Sequence, residues 1–465
     1  MKITILSGSP KGELSITLQY VKLIQKKFAQ HDYTVHHVSQ RIKRLERDPD
    51  AFEKIMASVE AADGILWIAP VYVCLIPSQY KRFIELISER GYGRIFKGKY
   101  TAVMTTSVHF YDHTAHNYLQ AVCDDLEMKY VDNFSPDMDE IFEENGPKDL
   151  IYFAENFFAH IEDTSPTTRH YQPISFRDFT YTPGTVQHKV DAGSKKIVVL
   201  TDCIDERTNI GGMIRRFTDS FASTVELINL NDIQIKGGCL GCCKCGQNYE
   251  CAYGDKDEFM EFYKSKIMPA DIIVYAGTIV DRYLSAKWKQ FYDRRFFKTH
   301  TPTQTGKQIA FLISGPLSQV QNLRQILIAL TDLERANLVD LVADEFGDST
   351  QIDALLHNLA QRLVKAHNLG YVKPITFLGV GGKKVFRDEI WGRLRFAFQA
   401  DHRYYEQQGF YDFPQDDPQI LAQHKQMEEL FKDPEALKQA MEMSNKEMMV
   451  PYQKVIDNLP DKEST

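Results

Sequence analysis

The stretch Ile3-Thr4-Ile5-Leu6-Ser7-Gly8-Ser9-Pro10-Lys11-Gly12-Glu13-Leu14-Ser15-Ile16-Thr17 decides the fold. Its opening residues are an apolar run of strand character, its middle is a Gly/Ser/Pro turn, and an amphipathic pattern follows from Ser15 to about Phe28. Strand, turn and helix in that order place the turn at a helix N-terminus. There, successive backbone N–H groups, the hydroxyls of Ser9, Ser15 and Thr17, and the positive end of the helix dipole can converge on a phosphate. Ser15 also reads as a plain helix N-cap.

Outward from this turn, strand-like runs at 33–38, 64–69 and 100–106 alternate with helical patterns at 51–62 and 78–89. Such alternation predicts a parallel sheet wrapped on both faces. The order recurs after residue 195: a strand at 196–200, a helix at 210–221, strands at 225–230 and 271–276. In both halves an Ala-Asp pair, Ala62-Asp63 and Ala270-Asp271, ends a helix just before the third strand. The expected architecture is therefore α/β, with two tandem doubly wound parallel sheets at 1–162 and 195–366. A linker at 163–194 carries Pro166, Pro173 and Pro183, and a mainly helical extension with a Met-rich end covers 367–465.

Composition narrows the function. The chain has 465 residues, 43% of them apolar and 12% aromatic, enough for several globular cores. A formal net charge of -8 argues against a nucleic-acid backbone or an anionic membrane as partner. No run approaches the ~20 consecutive apolar residues of a membrane span, and the apolar run 3–6 is too short for a secretory signal. A cytoplasmic protein is expected.

Five of the eight cysteines fall in Cys239-Leu240-Gly241-Cys242-Cys243-Lys244-Cys245-Gly246-Gln247-Asn248-Tyr249-Glu250-Cys251. Read as Cys-x2-Cys-x2-Cys-x5-Cys, the ligands would be Cys239, Cys242, Cys245 and Cys251, with Cys243 spare, a wrapping suited to a cubane iron–sulfur cluster. A zinc site and a cluster-free loop of packed thiols are the competing readings. His109, His113 and His116 after the fourth strand offer a weaker metal reading. Gly379-Val380-Gly381-Gly382-Lys383-Lys384, after a strand-like run at 374–378, reads as a turn that could touch a phosphate. Trp391, Leu394 and Phe398 recur at helical spacing beside Arg393, Arg395 and Arg403, as in a packed helix.

The turn Gly8-Ser9-Pro10-Lys11 with Ser15 and Thr17, followed by Ala69-Pro70-Val71-Tyr72 leading into Ser78-Gln79-Tyr80-Lys81-Arg82-Phe83, resembles the NAD(P)H-dependent FMN reductases, whose fold is flavodoxin-like. The cysteine loop, with Asp255 and Asp257 soon after, resembles their iron–sulfur flavoprotein branch. The resemblance covers about 1–160 and 195–366. It implies that Ser9, Lys11, Ser15 and Thr17 surround the FMN phosphate, that Pro70, Val71 and Tyr72 flank the isoalloxazine, and that Thr105, Thr106 and Ser107 line its other edge. The second copy departs from the pattern. Asp202, Asp205 and Glu206 in its first turn would repel a phosphate, and Thr278-Ile279-Val280 stands where Pro-Val-Tyr is expected.

FMN is thus expected in the first copy and a [4Fe-4S] cluster in the second. In the resembled family the flavin lies at a subunit interface, and in its iron–sulfur branch the cluster of one subunit approaches the flavin of another. A tandem chain can form that arrangement internally, or within a homo-oligomer. The expected activity is NAD(P)H-linked flavin oxidoreduction, delivering electrons to a small molecule or a redox protein. No catalytic acid, base or nucleophile stands out. The alternatives are an electron carrier fed by a protein donor, and a degenerate interaction protein.

Overall fold

The computed structural model describes residues 1–430, 432–447, 450, 451 and 454. Among these residues ten strands form two five-stranded sheets. The first holds β1 (Lys2–Ser7), β2 (Asp32–His36), β3 (Gly64–Pro70), β4 (Tyr100–Thr106) and β5 (Lys129–Phe134) in the order β2-β1-β3-β4-β5. The second holds β6 (Ile197–Thr201), β7 (Glu226–Asn229), β8 (Ile272–Thr278), β9 (Gln308–Ser314) and β10 (Asn337–Ala343) in the order β10-β9-β8-β6-β7, the same plan read from the other edge. All pairings are parallel.

The central strands are continuous apolar runs because helices cover both faces, so β3 and β8 bury nearly every residue. In the first copy these helices are α1 (Ile16–Lys27), α2 (Ile42–Arg47), α3 (Pro49–Ala61), α4 (Ser78–Glu89), α5 (Asp112–Asp125) and α6 (Gly146–Glu162). In the second they are α7 (Asn209–Asp219), the short α8 (Phe259–Phe262), α9 (Ala286–Arg294), α10 (Gln321–Leu333) and α11 (Ser349–Asn368). Helix starts follow from their caps: Ser15, Asp48, Thr208 and Ser285 accept from backbone N–H groups of the first turn, and Asp348 with Gln351 forms a capping box. The paired Ala-Asp motifs have one role in both copies. Asp63 accepts from the Lys2 N–H at 2.8 Å and Asp271 from the Lys196 N–H at 2.9 Å, tying the third strand of each sheet to the start of the first.

The two copies share one core cluster that contains Trp67, Phe83, Trp288 and Phe291. Its seam is the pairing of α4 with α9, which are counterparts in the two copies, so the chain makes an internal approximation of a twofold interface. Between Glu162 and Ile197 the chain runs without helix or strand, apart from a single bridge of Val190 to Phe221.

The C-terminal region is helical: α12 (Phe377–Trp391), α13 (Gln399–Gln407), α14 (Pro418–Leu430) and α15 (Pro434–Glu447). Two expectations are corrected here. The segment 374–378 is not a strand, and Gly379 to Lys384 is no turn but lies inside α12, which Thr376 caps. The glycines serve close helix packing: a Cβ on Gly379 would lie 2.7 Å from Asp332 Cβ, and one on Gly382 would lie 2.9 Å from both Leu333 and Phe110. The helical spacing read across 391–398 also breaks, because α12 ends at Trp391 and Gly392 leaves helical geometry with ψ -121. The described residues from 405 onward form a separate compact unit. Among the described residues no helix is long and apolar enough to cross a membrane.

Candidate functional site

Three segments leave the carboxyl ends of β1, β3 and β4, the edge where sheets of this order bind ligands, beside the switch between β1 and β3. After β1, the Gly8 N–H donates to the Ile68 carbonyl at 2.7 Å, holding the turn against β3. A Cβ on Gly8 would lie 2.1 Å from the buried Tyr80 ring, so only glycine lets the chain pass there. A 3-10 turn at Gly12–Leu14 precedes α1, with Gly12 at φ 57. Ser9, Ser15 and Thr17 are buried, and Lys11 is exposed. The Ser15 hydroxyl accepts from the Leu18 N–H at 3.4 Å, so it does cap α1, while Ser9 Oγ accepts from the Lys11 N–H at 3.3 Å.

Thr17 and Thr106 hydroxyls meet at 2.7 Å, and the Val71 N–H donates to the Thr106 carbonyl at 3.1 Å. The structure therefore brings the three segments together at one point. Thr105 points to the other face of β4, as strand alternation requires. Its hydroxyl lies 2.7 Å from His116 Nε2, and His116 Nδ1 lies 2.6 Å from Asn133 Oδ1. Burial lowers the His116 pKa, favouring the neutral ring, with the Asn133 bond opposing. Ser107 Oγ accepts from the His109 N–H at 3.0 Å. The three histidines do not converge: His109 faces Asp112 and Glu140, and His113 faces Gln325.

After Pro70 the chain makes a tight turn in which Tyr72 and Leu75 exchange both backbone bonds, at 2.7 and 3.1 Å. Its central residues, Val73 at φ 43 and Cys74 at φ 63, occupy the left-handed region, the pattern of a type I′ turn normally filled by Asn-Gly. A β-branched valine there stores strain. Val73→Asn is expected to stabilise the protein by about 1 kcal/mol, read by chemical denaturation; an unchanged or lower stability refutes the strain assignment.

The cysteine loop follows β7 and the 3-10 turn Leu230–Asp232. Cys239, Cys242, Cys243, Cys245 and Cys251 all line one recess, closed below by Asp293, Arg294 and Phe296. Among the described residues no three His, Cys, Asp or Glu side chains come together as a single metal ion requires. Burial pushes the Cys239 thiol up to about 12 and raises Cys245 further, against a 3.4 Å bond from the Gly241 N–H to Cys239 Sγ. Below the loop, the buried Arg294 donates to Asp257 at 2.6 and 2.9 Å and to the Gly237 carbonyl at 3.0 Å, between the Tyr253 and Phe259 rings.

This loop abuts the first copy's site. Gln79 donates to the Cys239 carbonyl at 2.9 Å, and a Cβ on Gly241, at φ 63, would lie 1.7 Å from Tyr72 Oη and 3.3 Å from Lys11 Cε. The chain after α12 joins the same edge. Arg393 forks onto Asp137 at 2.6 and 2.5 Å, Asp137 is the bridge partner of Ser107, and Gln247 of the cysteine loop donates to the Phe396 carbonyl at 3.0 Å.

Sequence reading named Gln79 and Arg393 without placing them at the site, and it missed Lys289, whose ammonium donates to the Tyr72 carbonyl at 2.8 Å. A signal existed: aligning the copies sets Lys81 and Glu85 of α4 against Lys289 and Asp293 of α9, each a Lys followed four residues later by an acid.

A 2-1-3-4-5 parallel sheet with a hydroxyl-rich turn after its first strand defines a flavodoxin-like α/β protein. Residues 1–140 match the NADPH-dependent FMN reductase family, a family of oxidoreductases. Among solved structures the chain is similar to FerB, a flavoenzyme NAD(P)H:(acceptor) oxidoreductase from Paracoccus denitrificans, at 21% identity over 35% of this chain and 97% of that one, with a TM-score of 0.29. It is also similar to general stress protein 14 from Treponema denticola, solved in complex with FMN, at 14% identity, 35% and 99% coverage and a TM-score of 0.26. An oxidoreductase from Corynebacterium diphtheriae is similar at 15% identity, 36% and 99% coverage and a TM-score of 0.30. No curated protein matches the chain.

Proposed function

We propose that the protein is an NAD(P)H-dependent flavin oxidoreductase binding one FMN in the first copy. The observation that carries this is the meeting of the three segments at Thr17, Val71 and Thr106. Buried hydroxyls and turn N–H groups at the head of α1 suit a phosphate, and the donor set fits FMN. Ser9, Lys11, Ser15 and Thr17 would hold the phosphate, Lys11 adding a positive charge from its exposed position. Pro70, Val71 and Tyr72 would form one wall of the ring site, and Thr106 and Ser107 its other edge. Thr105, turned to His116, would act on that edge through the β4 backbone. Bound FMN supplies hydride acceptance from a nicotinamide and return of the electrons to an acceptor. The chain's part is to orient the ring and keep water from its inner edge.

A second reading concerns the cysteine loop. One recess lined by five thiols, at the Tyr72 and Lys11 side of the site, favours a cofactor there over inert packing. We propose Cys239, Cys242, Cys245 and Cys251 as ligands of a [4Fe-4S] cluster, which would supply one-electron transfer.

The test is anaerobic purification with flavin, iron and sulfide quantification, followed by NADH and NADPH oxidation. About one FMN per chain with nicotinamide oxidation supports the first reading, and about four irons the second. FMN without nicotinamide oxidation favours the electron-carrier alternative. Failure to bind FMN on reconstitution refutes the oxidoreductase reading.

A further inference from the structure

The α4–α9 seam carries two buried charge pairs related by the internal twofold. In α4, Lys81 donates to Glu85 at 2.8 Å and reaches into the other copy to Asp281 at 2.9 Å, while Glu85 accepts from the Ala286 N–H at 2.6 Å, at the head of α9. In α9, Lys289 contacts Asp293, and Asp293 accepts from the Ser78 N–H at 2.7 Å, at the head of α4. The side chains of Lys81, Lys289 and Asp293 are all 0% exposed. Each copy thus caps the other's helix with a carboxylate.

The symmetry fails at one place. Lys81 ends on a side chain, Asp281, in a loop of the second copy. Lys289 ends on a main-chain carbonyl, that of Tyr72, at the entrance of the strained Val73-Cys74 turn. An ammonium buried at that point fixes the direction of the Tyr72 peptide and hence the wall beside which the ring would lie.

We infer that Lys289 is a positioning residue for the flavin site: the second copy, whose own first turn is acidic, contributes to the first copy's site by holding the Tyr72 carbonyl. The inference rests on the FMN reading above. Lys289 acts through the loop and touches no reacting atom.

The mirror pair supplies the control. In the full chain, Lys289→Met with Asp293→Asn removes the donor to Tyr72, leaves no unpaired charge and retains an acceptor for the Ser78 N–H. Lys81→Met with Glu85→Gln and Asp281→Asn makes the corresponding change on the other side, because Lys81 pairs with both carboxylates. FMN affinity by fluorescence titration, the visible spectrum of bound FMN and the thermal midpoint are compared. The expected result is an FMN affinity about tenfold weaker and a shifted flavin band for the Lys289 pair only, with both pairs losing similar thermal stability. Equal losses of affinity in the two pairs, or wild-type affinity and spectrum in the Lys289 pair, overturn the inference. If the Lys289 pair does not fold, Lys289→Gln is measured against the same criteria. A wild-type chain that binds no FMN overturns the flavin reading itself, a result distinct from wild-type binding that Lys289 does not affect.

Discussion

Gly241→Val is expected to weaken FMN binding at least about tenfold and to destabilise the chain by about 1–3 kcal/mol. Two causes act at this residue. Its φ of 63 is costly for a β-branched side chain, and a Cβ there would lie 1.7 Å from the Tyr72 hydroxyl. Either the cysteine loop withdraws or Tyr72 leaves its place, and the Tyr72 backbone is already held by Leu75 and Lys289. Flavin titration and denaturation of the purified variant measure the two effects separately. Wild-type FMN affinity in a folded Gly241→Val protein would show that the cysteine loop is no part of the flavin site.

Glu334→Ala is expected to cost about 3–5 kcal/mol, the largest loss of stability foreseen for a single substitution in this chain. Glu334 is buried at the end of α10 and accepts from Lys298 at 2.6 Å, from the Thr303 N–H at 2.8 Å and from Arg295. Its loss removes the carboxylate that the buried Arg295 and Lys298 share. It also loosens the 3-10 segment Arg295–Lys298, on whose Phe296 carbonyl the Cys245 thiol rests at 3.4 Å. Burial raises the Glu334 pKa, but Lys298 and Arg295 outweigh it and hold the carboxyl down at about 2. An unfolded glutamate titrates near about 4.3, so the contribution, on the order of 3 kcal/mol, is complete above that pH and lost as pH falls towards about 2. Urea unfolding of wild type and Glu334→Gln across this window checks the sign. Parallel curves would show that the pair does not govern the acid limb.

The strands were legible because a sheet covered on both faces leaves no polar alternation, so 64–69 and 271–276 announce themselves as unbroken apolar runs. The Ala-Asp pairs marked equivalent points, and the acidic turn at Asp202, Asp205 and Glu206 marked the copies as unequal. Gly379 to Lys384 misled because glycines that admit a neighbouring helix look, in one dimension, like glycines that turn a chain. Lys289 stayed hidden for a different reason. Its partner lies 217 residues away in sequence, and only the packing of α4 on α9 makes a buried lysine reach a carbonyl of the other copy.

Carrying both copies on one chain, joined by the stretch between Glu162 and Ile197, changes how the paired state responds to dilution. A pair of separate subunits falls apart as its concentration drops below its dissociation constant. Tethered halves see one another at an effective concentration on the order of millimolar, whatever the bulk value. The seam in this chain therefore persists at concentrations where a free dimer is lost. Covalent linkage also removes the requirement that both faces be identical, so one half can specialise in a task that would be harmful if repeated in the other.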